Sequence, residues 1–173
     1  MIVFSFTRCK RRIRRTGMEG FEVRKINLLS QVGFAEVVKE SKREGFNFVT
    51  RLVHDYESGD NRFSLPGEAL YGVFNNDGDL VALGGLNQDP FSKQPTIGRL
   101  RRFYVRKRYR RMRIGTFLLE YILSKATTHF QLIVLHTDTK EADKFYVSSG
   151  FKRGEELPNS SHFLLLKGNE DSE

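Results

Sequence analysis

Tryptophan is absent from the 173 residues, proline occurs four times, and cysteine occurs once, as Cys9. A lone cysteine excludes an internal disulfide and fits a reducing, cytoplasmic setting. No apolar run approaches the roughly 18–20 residues that a membrane span needs, so no membrane partner is expected. His54, His129, His136 and His162 are scattered, without ligand spacing to Cys9 or to a carboxylate cluster, and no metal site is expected. Cys9 lies in a basic tail ahead of the patterned sequence, which leaves no candidate covalent nucleophile. Internal repeats and linker-like segments are also missing, so one domain is expected.

Apolar residues make up 39% of the chain and charged residues 29%, a globular composition long enough to bury a core. The net charge of +8 invites a nucleic-acid reading. Its distribution argues against one. Residues 1–17 hold Arg8, Lys10, Arg11, Arg12, Arg14 and Arg15 without an acid, which leaves the rest of the chain at only +2. The aromatic residues are not interleaved with the basic ones as a stacking surface would require. Residues 1–17 are expected to be a solvated, flexible extension. The apolar stretch before their charges is too short for a secretory signal. A transit peptide, or a natural start at Met18, stays open. The domain is expected over 18–168, followed by an acidic tail, 169–173.

The elements follow from periodicity. "FEVRKINL", 21–28, predicts a strand. Residues 30–41 and 45–59 predict helices, the first with Ser30 as N-cap and the second ending near Gly59. Two strands are expected around "NNDGD" within 68–87, an Asp-Gly hairpin signal. Residues 96–105 predict a strand with Ile97, Arg99, Arg101, Phe103 and Val105 on one face and Leu100, Arg102 and Tyr104 on the other. Residues 114–127 form the clearest helix, with Ile114, Phe117, Leu118, Tyr121 and Ile122 on one stripe. "QLIVLHTD", 131–138, predicts a buried strand, 140–151 a helix stopped by Gly150, and 161–168 a last strand. Strands that alternate late with helices imply an α/β layer fold on a mixed sheet.

The stretch "VRKRYRRMRIGT", 105–116, runs from a strand end through a basic loop into a helix. A helix start already carries partial positive charge from its unpaired N–H groups, so arginines there make sense if an anion is bound. Gly115 permits close approach, and a diphosphate is the natural occupant. The competing reading is a helix that starts in a basic loop, with Gly115 present for packing.

At these residues the chain resembles the GCN5-related N-acetyltransferase (GNAT) family. That family's acetyl-coenzyme A loop reads Gln/Arg-x-x-Gly-x-Gly/Ala, and here Arg110-Arg111-Met112-Arg113-Ile114-Gly115 matches at its first and last positions. Arg113 replaces the middle glycine. "GRLRRFYVRKRYRR" resembles the family's fourth strand, "LVALGGL" its third, and "VFNNDGDL" the hairpin before it. In "TDTKEADKFYVSSGF", Ala142, Phe145, Tyr146, Gly150 and Phe151 match the family signature, with Thr139 where asparagine is frequent. The resemblance spans 68–167, and more weakly 21–60. It implies a single-domain α/β fold with a central, mixed, mostly antiparallel sheet flanked by helices, whose fourth and fifth strands splay apart. It implies acetyl-coenzyme A as co-substrate, held by Phe103, Tyr104, Val105, Arg110, Arg111, Met112, Arg113, Ile114, Gly115, Thr116 and Thr139. The backbone of Tyr104 and Val105 would line the pantetheine arm.

Acetyl transfer from a thioester to an amine requires a neutral amine, a polarised carbonyl and a protonated leaving thiolate. The family's matching tyrosine makes Tyr146 the expected acid; its competing reading is a buried aromatic with a satisfied hydroxyl. The base is not assigned: Glu68, Asp89, His136 and Asp138 are candidates, and a water chain or an amine that arrives neutral would serve as well. Arg99, Arg101 and Arg102 either draw in an anionic substrate or form a solvent-facing charged face. The expected partner is a small-molecule or peptide amine, hidden by the variable wall at 30–59; nucleic acid is not expected, and a homodimer stays open. The alternative function is a catalytically idle module that binds acyl-coenzyme A as a sensor.

Overall fold

The computed structural model describes residues 17–166. The basic stretch 1–16, with Cys9, and the residues from 167 on, with the acidic tail, lie outside the described residues. The elements run β1 Gly17–Met18, β2 Phe21–Lys25, α1 Phe34–Arg43, α2 Phe48–Ser58, β3 Ala69–Asn75, β4 Leu80–Gln88, β5 Ile97–Val105, α3 Ile114–Ala126, β6 Leu132–Leu135, α4 Lys140–Ser148, β7 Lys152–Arg153 and β8 His162–Leu165. They build one sheet in the order β1-β2-β3-β4-β5-β6-β8-β7. Every adjacent pair is antiparallel except β5 with β6, which are joined through α3. The α/β fold with a mixed, mostly antiparallel sheet is the one the sequence implied.

Two apolar layers sandwich the sheet. On one face α3 buries Ile114, Leu118, Leu119 and Ile122 against Val73, Val81, Leu86, Leu100 and Ile133, with Tyr146 and Phe151 closing the layer. On the other face α1 and α2 bury Phe34, Val37, Val49 and Leu52 against Leu70, Phe74, Leu83 and Tyr104. Each fully buried Leu or Ile contributes about 1.5–3 kcal/mol, so α3, with four such residues at 1% exposure or less, is firmly anchored. Gly84 lets it approach closely: a Cβ there would lie 2.8 Å from Ile122 Cδ1.

Two features of β5 shape the site. Its pairing with β6 stops at Arg99 opposite Val134, while β5 runs on to Val105 with no described strand on that side. The two parallel strands therefore splay, leaving a gap beside residues 100–105. On the β4 side, Leu83 faces Tyr104 and Gly85 faces Arg101, so Arg102 and Phe103 share Gly84 as a bulge. Arg102 takes φ 57°.

The bulge overturns the expected strand faces. Leu100, Phe103 and Val105 all join the α3 layer, and Tyr104 joins the α1/α2 layer. Strict alternation had put Leu100 with Tyr104, and an extra residue in the strand reverses the parity. Other boundaries move too. Leu29–Gln31 is a 3-10 turn, and α1 begins at Phe34 behind Gly33 with no side-chain cap, so Ser30 does not cap it. Gly17 belongs to the sheet as part of a β1–β2 hairpin, not to the extension, and β7 was not anticipated. Gly59 and Gly150 end α2 and α4 at φ 89° and 100°, as expected.

Candidate active site

The basic loop after β5 folds into a 3-10 turn at Lys107–Tyr109 and then enters α3. Arg111 and Arg113 both adopt the left-handed conformation, φ 63°. In consequence the backbone N–H groups of Arg111, Met112, Arg113, Ile114, Gly115 and Thr116 find no backbone acceptor among the described residues. Successive free N–H groups in such a turn form an anion-binding concavity, and the α3 dipole adds to it. Arg111, Met112 and Arg113 are exposed, while Ile114 is buried as the first anchor of α3. Thr116 is half-buried two residues further along.

Arg113 stands where the resemblance places a glycine, in a conformation that costs a non-glycine residue roughly 1–2 kcal/mol. Replacing it with glycine removes that cost but loosens the unfolded chain, for a net gain of about 0.5–1 kcal/mol. Arg113→Gly is expected to raise the midpoint of thermal unfolding by ~2 °C. An unchanged or lowered midpoint would show that the arginine side chain makes a contact worth more than the strain.

The arginines of the loop divide the work. Arg110 is expected as a phosphate ligand, but its guanidinium is already engaged. Its Nη1 and Nη2 donate to Glu44 Oε1 and Oε2, each at 2.7 Å, and its Nε donates to Val105 O at 2.8 Å. Arg110 is a strut of the cradle. The Tyr104 side chain turns away from this loop. Its hydroxyl donates to Glu44 Oε2 at 2.6 Å on the α1 face. The Arg106 N–H donates to Val81 O, so alternation turns the Tyr104 backbone toward β4 and leaves the Val105 backbone facing the gap.

Glu40 completes this brace from one helical turn earlier on α1. It accepts from Arg106 Nε at 2.8 Å and from the Lys107 N–H at 2.7 Å. Sequence reasoning missed both glutamates; their only signal was i, i+4 spacing on the polar edge of a helix. The Arg110 hydrogen bonds hold Glu44 below the ordinary carboxylate value of 4.5. Burial pushes Glu40 upward, but Arg106 and the Lys107 N–H outweigh it and its pKa is also lowered. Depressed carboxylates stabilise the folded chain above the unfolded value and lose that contribution as pH falls through the folded one. Glu44→Gln is expected to cost about 1–3 kcal/mol at pH 7, because Arg110 and Tyr104 lose the charge and one of the two acceptor oxygens they share. Wild type is expected to lose stability as pH falls below 4.5, and the variant to lose less, as read by thermal unfolding across pH. Equal pH slopes for the two proteins would show that the brace carries no such weight.

Tyr146 projects from α4 into an aromatic cluster with Phe103 at 6.2 Å, Phe145 at 5.1 Å and Phe151 at 5.6 Å between ring centroids. It is 7% exposed, and burial pushes its phenol pKa up, so it is protonated at neutral pH. Its hydroxyl has no hydrogen-bond partner among the described residues, yet Thr50 Oγ1 is the one fully enclosed side-chain polar atom lacking one. The Tyr146 hydroxyl is therefore buried but not fully enclosed. Phe103 at the β5 bulge stacks on Phe145 at 5.7 Å, which ties α4 to the mouth of the gap.

Another brace that the sequence did not disclose holds α4. His162, 3% exposed, hydrogen-bonds to Asp143 Oδ1 at 2.9 Å and to Ser161 Oγ at 2.8 Å, and its ring lies against Tyr146. Arg153 grips both oxygens of Asp143 at 2.7 Å and holds its pKa down at about 2. Thr139 caps α4, its Oγ1 accepting from the Ala142 N–H at 3.2 Å.

The base candidates separate cleanly. Glu68 spends one oxygen on the Leu65 N–H and the other on the Gln88 N–H. Asp89 is sealed against Arg99 at 2.6 Å and caps Ser92. His136 and Asp138 hydrogen-bond to each other at 2.8 Å and remain exposed just beyond β6. Ile133 and Leu135 face the α3 layer, and His136 follows directly after the end of β6.

Two of the three β5 arginines are structural, which corrects both sequence readings for them. Arg99, 4% exposed, donates to Asp89, to Asn159 O at 2.6 Å and to Pro158 O at 2.9 Å. Arg102 pairs with Asp55 at 3.0 Å. Among the described residues one group, His54, Asp55 and Asp60, has potential metal ligands within 4.8 Å of one another. Asp55 and Asp60 there already accept from Arg102 and Ser58.

No curated protein matches the chain. The family model described as Acetyltransferase (GNAT) family matches residues 34–151. Among solved structures, a presumed acetyltransferase of Exiguobacterium sp. 255-15 is 28% identical, with 84% of this chain and 93% of that chain covered and a TM-score of 0.75. A GNAT-family acetyltransferase of Staphylococcus aureus Mu50 is 20% identical, with 85% and 99% covered and a TM-score of 0.64. A presumed acyl-CoA N-acyltransferase of Klebsiella pneumoniae is 17% identical, with 85% and 98% covered and a TM-score of 0.60.

Proposed function

The chain belongs to the GNAT family of acetyltransferases, and on that premise we propose that it transfers an acetyl group from acetyl-coenzyme A directly to a primary amine. The run of unpartnered N–H groups from Arg111 to Thr116 carries this reading. These groups hold the diphosphate, assisted by the exposed Arg111 and Arg113 side chains. Val105 offers its backbone N–H to the pantetheine arm in the gap, its carbonyl being held by Arg110, and Phe103 and Phe145 wall the arm. An N–H at the β5 bulge polarises the thioester carbonyl. The amine approaches from the α1/α2 face and attacks the carbonyl carbon. The C–S bond breaks, Tyr146 gives its proton to the departing sulfur, and solvent restores that proton. Of the candidate bases, His136, hydrogen-bonded to Asp138 and exposed, is the one free to accept the proton of the amine, directly or through water. The single cysteine points to a reducing, cytoplasmic setting.

The engagement of Glu68 and Asp89 favours one rival, a member that binds acyl-coenzyme A without transferring it. Calorimetric titration with coenzyme A, beside a duplex DNA control, tests the binding half of the proposal. One-to-one binding of coenzyme A without DNA binding is expected; binding of DNA alone would overturn it.

A further inference from the structure

Arg101 is the β5 arginine left over once Arg99 and Arg102 are accounted for. It is half-buried, and its guanidinium makes no hydrogen bond or ion pair among the described residues. Its direction follows from its neighbours. A Cβ on Gly98 would run into Ile133 and Phe130, and Leu100 lies in the α3 layer, so Arg99 and Arg101 project to the α1/α2 face. Gly85, opposite Arg101, confirms this side, because a Cβ there would run into Phe63 of the α1/α2 layer. Arg101 stands just past the last β5–β6 pair, where the gap opens, and next to the bulge.

The surroundings do not neutralise it. Asp55 and Glu68 lie within electrostatic reach. Asp55 is committed to Arg102, and both oxygens of Glu68 are committed to backbone N–H groups. Burial and the adjacent Arg102 and Arg99 charges all disfavour the Arg101 cation. A half-buried guanidinium without a counter-ion is costly, and an arriving oxyanion relieves that cost through paired N–H···O bonds. The same positive charge repels an ordinary ammonium substrate from the place where an acceptor amine must sit.

We infer that the acceptor is a small primary amine that also carries an oxyanion, a carboxylate or a phosphate, which the Arg101 guanidinium holds on the α1/α2 face of the gap. This rests on the acyl-transfer reading above and adds the substrate class. The Arg101 contact brings the amine to the thioester already oriented, and it disfavours polyamines and neutral amines of equal size.

The test uses matched pairs: O-phosphoethanolamine with ethanolamine, and serine with serinamide. Each is titrated calorimetrically into the full chain saturated with coenzyme A, which cannot react. The charged member of at least one pair is expected to bind at least tenfold more tightly than its partner, and which pair shows the effect separates phosphate from carboxylate. Arg101→Met is expected to remove that preference and to leave coenzyme A affinity unchanged. Arg101→Glu is expected to favour spermidine. Equal binding within both pairs, or a preference that survives in Arg101→Met, would overturn the inference. Charged-amine binding without any acetyl transfer would instead overturn the transferase reading and leave the oxyanion site standing.

Discussion

Gly115→Glu is expected to lower coenzyme A affinity by at least ~100-fold, about 2.7 kcal/mol, while the protein becomes no less stable. The fold has room for a Cβ there. A Cβ on Gly115 would lie 3.5 Å from Phe145 Cζ and 3.5 Å from Val105 Cγ2, ordinary contact distances. The position is in the first turn of α3, where glutamate outranks glycine by several tenths of a kcal/mol in helix propensity and complements the dipole. The carboxylate stands beside the free N–H groups of the loop and repels a diphosphate. Gly115→Ala, which adds bulk without charge, should bind more weakly than wild type but more tightly than Gly115→Glu. The measurement pairs calorimetry with thermal unfolding. Retained affinity in Gly115→Glu would remove this loop from the diphosphate site. Lost affinity with a collapsed unfolding midpoint would make Gly115 a packing residue.

Tyr146→Phe is expected to lower kcat by ~10²–10⁴-fold, the range for a positioned general acid, with the KM for acetyl-coenzyme A nearly unchanged. The substitution keeps the ring among Phe103, Phe145 and Phe151, and it orphans no partner, because the hydroxyl has none among the described residues. Folding stability should therefore be preserved. Affinity reduced with kcat intact would make Tyr146 a binding residue. Unchanged kinetics would leave the thiolate to water or to another side chain.

Local pattern carried much of the architecture. The apolar stripe of α3 and the continuous apolar centre of β6 were readable because burial and periodicity coincide there. The basic loop and Gly115 pointed to an anion, and the resemblance named coenzyme A and Tyr146; the left-handed turn at Arg111 and Arg113 has no signature in residues so unlike glycine. What stayed hidden depends on long-range partners. Arg110 reads like its neighbouring arginines, and only Glu44, far away in sequence, makes it a strut. Arg99, Arg101 and Arg102 are indistinguishable in a basic strand. Asp89, Asp55 and the bulge at Arg102 divide them into two ion pairs and one free cation among the described residues.

The central claim is transfer itself, and one measurement reaches it. The full chain is incubated with acetyl-coenzyme A carrying an isotopically labelled acetyl group, together with a panel of anionic, neutral and cationic primary amines. Thiol release and labelled amide are then quantified by mass spectrometry. The account predicts amide and free thiol in equal amounts for at least one amine, with neither formed when the amine is omitted. Tight coenzyme A binding with no labelled amide from any member of the panel would contradict it and leave the chain an acyl-coenzyme A-binding module.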